Sequence, residues 1–125
     1  MTDQNDLEVS STRNVFLVVN QQITPLVSDI TSLGRHLDNA VVFQDASISR
    51  NHAEIRYEDG LYVLHDLQST SGTFVNGQRI TRCVLNSGDL ISLARIPMMF
   101  VNNNSRFVDR SATVTNNLKS PGGQK

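Results

Sequence analysis

The chain has one cysteine, no long apolar run and no excess of either charge, and each absence removes a class of protein. A lone Cys83 among 125 residues leaves no partner for a disulfide framework and no cysteine metal site. No segment approaches the ~18 consecutive apolar residues of a membrane-spanning helix. Eleven Lys/Arg against twelve Asp/Glu give a formal net charge of −1, and so no general electrostatic attraction to nucleic acid. The N-terminal stretch MTDQNDLEVSSTRN is polar and acidic, unlike a secretory signal or an Arg-rich transit peptide. A reducing cytoplasm is the expected compartment. With 38% hydrophobic and 18% charged residues, the chain is neither a disordered polyelectrolyte nor a membrane protein. One domain with its own core is expected at this length.

Residues 1–12 lack apolar periodicity, and 108–125 are rich in Ser, Thr, Asn and Gly; both read as flexible tails or linkers. The ordered domain is expected over 13–107. No stretch of 12 residues within it carries a helical pattern. Val15–Val19 is a β-branched and aromatic run of strand length. From His52 to Glu58 the chain alternates, with Ala53, Ile55 and Tyr57 on one face and Glu54, Arg56 and Glu58 on the other. Asp59-Gly60 tolerates the positive φ angles of a two-residue hairpin turn, which would pair Glu58 with Leu61, Tyr57 with Tyr62, Ile55 with Leu64 and Glu54 with His65. Asn76-Gly77 gives the same signal between Thr73–Val75 and Gln78–Ile80. Further strands are expected at Ile30–Leu33, Val41–Phe43, Leu90–Leu93 and Met98–Val101. Many short strands with frequent turns define an all-β sandwich or barrel.

Three segments are too polar for this arithmetic: Leu33-Gly34-Arg35, Ser47-Ile48-Ser49-Arg50-Asn51-His52, and Asp66-Leu67-Gln68-Ser69-Thr70-Ser71-Gly72-Thr73. Each adjoins an expected strand, so each can lie at an end of the sandwich. Together they supply two guanidinium groups and several hydroxyls, with Asp66 as the sole carboxylate. A phosphate dianion requires such a donor set, because the guanidinium fork matches phosphate oxygens and hydroxyls or backbone N–H groups complete the shell.

The string GRHLDNAVVFQDASISRNHAEI, then DLQSTSGTFVNGQRI, then GDLISL, resembles a forkhead-associated (FHA) domain in order and spacing. The resemblance implies an eleven-stranded β-sandwich whose loops at one end bind phosphothreonine in a partner peptide. It implies that Arg35 pairs with the phosphate, that Ser49 donates its hydroxyl to a phosphate oxygen, and that Arg50 supports phosphate or peptide. Thr70 would complete the shell through its hydroxyl or backbone N–H. Gly34, His52, Gly72, Asn76 and Gly77 match architectural positions, the histidine bracing the loops from beneath. Where the family usually carries Asn before Gly-Thr, this chain has Ser71, which implies an altered grip on the peptide main chain; Asn51 is the nearest alternative amide. Gln44, Asp45, Ser47 and Asn102–Asn104 are candidates for reading the peptide beyond the phosphothreonine.

The other chemistry-bearing residues point elsewhere. His36 reads as a rim residue and His65 as a partner of Glu54 on the exposed side of its hairpin. The three histidines lack close metal-ligand spacing, so no metal or other cofactor is expected. Ser49 and His52 are not spaced as a catalytic pair, and no glycine-elbow serine, Walker-type loop or paired catalytic carboxylates occur. Met98-Met99-Phe100 reads as core strand and Cys83 as a small hydrophobe. The expected function is therefore a non-enzymatic, phosphothreonine-dependent module in Ser/Thr kinase signalling. The alternative is a scaffold or oligomerisation domain of the same fold that works without phosphate. The expected partner is a phosphothreonine protein or peptide, with no role for nucleic acid or membrane. The chain's own tail is a further candidate through Thr2, Thr12, Thr113 or Thr115.

Overall fold

The computed structural model of the chain describes residues 14–104 and 107–110. The tail expected at 1–12, the start of the ordered domain at Arg13 and residues 111–125 lie outside them. Eleven strands form: β1 (Val15–Val19), β2 (Gln22–Pro25), β3 (Ile30–Gly34), β4 (Val41–Val42), β5 (Ala53–Glu58), β6 (Leu61–Asp66), β7 (Thr73–Val75), β8 (Gln78–Arg79), β9 (Arg82–Val84), β10 (Leu90–Leu93) and β11 (Ile96–Asn102). A six-stranded sheet runs β2-β1-β11-β10-β7-β8, and a five-stranded sheet runs β4-β3-β5-β6-β9. The expected all-β sandwich of about eleven strands is what forms.

Period-two alternation drives the packing. In β1, Val15, Leu17 and Val19 are buried while Phe16 and Val18 are half-exposed. Leu17, Ile91, Leu93 and Phe100 from one sheet face Leu33, Ala53, Ile55 and Leu64 from the other, each at most 1% exposed. Met98 and Phe100 belong to this core, but the intervening Met99 points outward at 39% exposure, so the Met-Met-Phe run is core only at alternate positions.

Both expected hairpins form. Asp59 and Gly60 (φ 53° and 84°), like Asn76 and Gly77 (51° and 85°), hold two successive positive φ angles, the requirement of a type I′ turn. The first turn sets the register Glu58–Leu61, Tyr57–Tyr62, Ile55–Leu64 and Glu54–His65, as its length dictated. β2 and β9 are additions to the sequence reading.

The loops after β3, β4, β6 and β10 gather at one end of the strands, since Leu33 pairs with Ala53, Ala53 with Asp66, and Thr73 with Leu93. At the opposite end lie the β7–β8 turn, the β9–β10 loop, the start of β1 and the end of β11. The buried Asp89 organises this far end. It accepts from the Asn86 N–H (2.7 Å), the Asn76 side-chain amide (2.9 Å) and both terminal nitrogens of Arg110 (2.7 and 3.2 Å). The Asn86 amide donates to the Val108 carbonyl (2.9 Å) and accepts the Val108 N–H (2.8 Å). Val108 and Arg110, within the stretch read as tail, are thus fastened to the sandwich.

Candidate functional site

The site is built on a close approach at Gly34. A Cβ there would fall inside the Arg50 carbonyl and 2.7 Å from the Asn39 amide nitrogen, so only glycine lets the two loops meet. Around it the Arg35 N–H donates to the Ser49 carbonyl (3.0 Å), the His36 N–H to the Arg50 carbonyl (3.2 Å) and the Phe43 N–H to the Gly34 carbonyl (3.0 Å). The Arg35 Nε donates to the Ile48 carbonyl (3.0 Å). That bond fixes the root of the guanidinium and leaves its terminal nitrogens for another acceptor.

His52 joins the second and third loops. It is wholly buried; its Nδ1 accepts the Ser49 N–H (3.0 Å) and its Nε2 lies 2.8 Å from the Gly72 carbonyl oxygen. Nδ1 can accept only without a proton, so Nε2 carries the hydrogen and donates. The Thr70 N–H in turn donates to Ser49 Oγ at 3.2 Å. The backbone N–H of Thr70 is therefore engaged within the site, and its hydroxyl is the group left for a ligand.

Asp66 folds the third loop. It accepts from the Ser69 hydroxyl (2.6 Å), the Ser69 N–H (3.2 Å) and the Thr73 hydroxyl (2.6 Å), while the Gly72 N–H donates to Ser69 Oγ (3.1 Å). Burial pushes the Asp66 carboxyl upward, but the hydrogen bonds from Ser69 and Thr73 outweigh it and hold it below the usual carboxylate value. Gly72 sits at φ 96°, and a Cβ there would press on the Phe74 ring at 3.0 Å.

Arg35 and Arg50 are both exposed and, like Arg95 in the β10–β11 turn, make no ion pair with any described residue. By contrast Arg56, Arg82 and Arg110 all face carboxylates. From Ser71 a groove continues between Asp45, Ser47, Phe74, Ala94, Arg95 and Ile96. The Gly72 carbonyl holds its far wall by accepting the Ala94 N–H (2.9 Å). Asp45 accepts the hydroxyl and N–H of Ser47, bonds that lower its pKa with a smaller contribution from Arg95. Gln44 and Asp45 line an adjoining pocket with Asn20, Val42, Phe43 and Ile96.

The structure thus gathers Gly34, Arg35, Ser49, Arg50, Asn51, His52, Thr70, Ser71 and Gly72 at one end. Asn51 is exposed beside Arg50, and its amide makes no hydrogen bond to a described residue. Asn76 and Gly77 lie at the opposite end, where Asn76 Oδ1 accepts the Leu90 N–H at 2.9 Å. Asn102–Asn104 are a correction: Asn102 pairs with Val15 and the Asn103 N–H donates to the Asn14 carbonyl, so a peptide at the loops does not meet them. His36 is exposed and its Nδ1 accepts the Asp38 N–H (3.0 Å), while His65 lies 3.3 Å from Glu58. Arg95 and Phe74 were missed as groove residues, since they belong to a turn and a strand with no polar cluster to mark them.

Two sheets of six and five strands with the polar loops gathered at one end define the class, an all-β sandwich with a loop-built site. The FHA domain family model matches residues 31–94, and the chain belongs to that family. It is 37% identical over 71 residues to the glycogen accumulation regulator GarA of Mycolicibacterium smegmatis, covering 57% of this chain and 45% of that one. It is 35% identical over 71 residues to the oxoglutarate dehydrogenase inhibitor of Corynebacterium diphtheriae, covering 57% and 50%. The chain spans about half the length of these curated relatives. Among solved structures, Mycobacterium tuberculosis EmbR in complex with a low-affinity phosphopeptide superposes with a TM-score of 0.68 at 33% identity, over 70% of this chain and 24% of that one. The FhaA FHA domain complexed with the intracellular domain of Rv3910 gives 0.65 at 30% identity, over 69% and 98%.

Proposed function

We propose that the loop end binds phosphothreonine in a partner protein or peptide, and that the chain works in Ser/Thr kinase signalling as a recruiter or regulator. The observation that carries this reading is the pair Arg35 and Arg50, two arginines that form no ion pair with a described carboxylate and lie beside the Ser49 and Thr70 hydroxyls. Arg35, its Nε already tied to Ile48, offers its terminal nitrogens to phosphate oxygens; Ser49 and Thr70 add hydroxyl donors. Phosphorylation adds about −1.5 to −2 charge and three acceptor oxygens. Three or four charge-assisted hydrogen bonds of roughly 1.5–3 kcal/mol each, less the cost of ordering the peptide, give an affinity near micromolar. Arg50 and Asn51 flank the peptide, and Ser71 opens the groove that takes the residues after the phosphothreonine. Binding of this kind needs no bond-making step, so the chain acts as a ligand-binding protein rather than an enzyme, in the cytoplasm where kinases act. The phosphopeptide in the EmbR complex and the regulator and inhibitor names of the relatives support the reading.

Fluorescence anisotropy with phosphothreonine peptides and their unphosphorylated counterparts tests it. Binding confined to the phosphorylated set, and abolished by Arg35→Ala, is the expected result; equal binding to both sets overturns the proposal.

A further inference from the structure

The two outward faces of the sandwich differ in kind. On the five-stranded sheet, the solvent side of β5, β6 and β9 carries Glu54, Arg56, Glu58, His65 and Arg82, linked as Arg56–Glu54 (2.6 Å), His65–Glu58 (3.3 Å) and Arg82–Glu58 (3.9 Å). The six-stranded sheet has the opposite character. Its register sets Ile23 beside Val18, Val18 beside Met99 and Met99 beside Leu90, one unbroken apolar row across β2, β1, β11 and β10. Pro25, Phe16 and Val101 form a second row next to it. Alternation turns both rows away from the core. Ile23 is 64% exposed, Leu90 47% and Met99 39%. No charged side chain occurs on this side of the four strands; the nearest on the sheet is Arg79, on the edge strand β8.

We propose that this face is a self-association surface on which a second copy of the chain docks sheet to sheet. A two-fold dimer applies the same patch to itself, so any charge on the patch meets its own like. A face with no charge and two straight apolar rows meets that condition. The opposite face, with its network of carboxylates and guanidinium groups, does not, because closing it would strip water from every one of them. Two such sheets pack about 10 Å apart with their strands nearly aligned, and their outward side chains interdigitate. The patch offers on the order of 500 Å² of apolar surface per copy, or about 1,000 Å² in the dimer, at the lower bound for a specific interface. That size fits a reversible dimer with a dissociation constant on the order of tens of micromolar, not an obligate one. The strand sides meet while the strand ends stay open, so each dimer presents two sets of loops. The inference rests on the sheet face and not on what the loops bind.

Sedimentation velocity on the full chain, from about 5 to 500 µM, brackets that range. The expected result is a weight-average mass rising toward twice the monomer. Met99→Glu is expected to weaken association at least tenfold, and Ile30→Glu, on the other sheet, to leave it unchanged. Should Met99→Glu fail to fold, Ile23→Glu on the exposed edge strand reads the same interface with the same expected loss. A monomer at every concentration overturns the proposal, as does a dimer that persists in a folded Met99→Glu or Ile23→Glu variant. Amide shifts confined to this face on deletion of residues 1–13, in a protein that stays monomeric, show the chain's own N-terminal segment covering it and overturn it too.

Discussion

The Thr70 N–H donates to Ser49 Oγ across 21 residues of sequence. A hydroxyl that accepts on one side has its single hydrogen left to donate, and on the proposed reading that hydrogen goes to a phosphate oxygen. Ser49→Ala removes both the acceptor for Thr70 and the donor for phosphate. A hydrogen bond to a charged group is worth about 1.5–3 kcal/mol, so anisotropy titration is expected to show a loss of roughly 10–150-fold in phosphothreonine-peptide affinity. The Thr70→Val variant, which keeps its N–H, is expected to lose less.

His52→Ala leaves the Ser49 N–H and the Gly72 carbonyl without their shared partner and opens a cavity between two loops. The Ser49 N–H is then left unpaired while the Gly72 carbonyl keeps the Ala94 N–H, so one lost partner costs about 1–3 kcal/mol and the cavity adds to it. Urea unfolding is expected to show a loss of roughly 2–5 kcal/mol, with phosphopeptide affinity falling in parallel because Ser49 loses its anchor.

Gly34→Ala tests the close approach directly. The added methyl meets backbone, the Arg50 carbonyl, rather than the end of a flexible side chain. The variant is expected to lose about 2–4 kcal/mol of stability, in the range of overpacked or strained core sites, and to bind phosphopeptide poorly even where it folds. Unfolding and titration on the same preparation check both.

Asp66 couples the third loop to pH. Its pKa is lowered in the fold, so its contribution to stability is fully present above the ordinary carboxylate value of about 3.9 and is lost as pH falls through the lower folded value. The protection factors of the Ser69 and Gly72 amides, relative to their intrinsic exchange at each pH, are expected to fall at acid pH before the sheets open. Asp66→Asn is expected to show that low protection already at neutral pH.

Arg95→Glu is expected to change which peptides bind rather than whether phosphate binds. Arg95 lines the groove beyond Ser71 and makes no ion pair with a described residue. In a peptide array, phosphothreonine peptides with an acidic residue on the C-terminal side are expected to weaken, and those with a basic residue to gain.

Much of this architecture is legible in the residues themselves. Asp59-Gly60 fixes a register because a two-residue turn leaves one pairing, and His52–Glu58 alternates because one side is core. β2 escaped because it is a four-residue edge strand whose apolar residues, Ile23 and Pro25, face away from the core. β9 is three residues long, too short for any period. At the site, Arg35, Ser49 and Thr70 stand out as a motif, whereas Arg95 is an ordinary turn arginine until the chain folds. The placement of Asn102–Asn104 failed for the same reason: only the pairing of β11 with β1 decides at which end of the sandwich they emerge.

The clamp of Arg110 on Asp89 sets the length of a leash. Thr113 and Thr115 lie outside the described residues, three and five positions beyond Arg110. Five residues at full extension span at most about 18 Å. The way to the loops runs about 17 Å along β10 and then across the roughly 10 Å between sheets. Thr12 is two positions before Asn14, which also leaves from the far end. On the proposed reading, Thr12 and Thr113, two and three positions from a held residue, have about 7 and 11 Å of chain and would meet a neighbour's loops rather than their own. Thr2, twelve positions before Asn14, has about 40 Å of chain and can return to its own. Phosphorylation at Thr113 should accordingly raise the mass of the species in solution while a single diluted copy keeps its loops open to peptide.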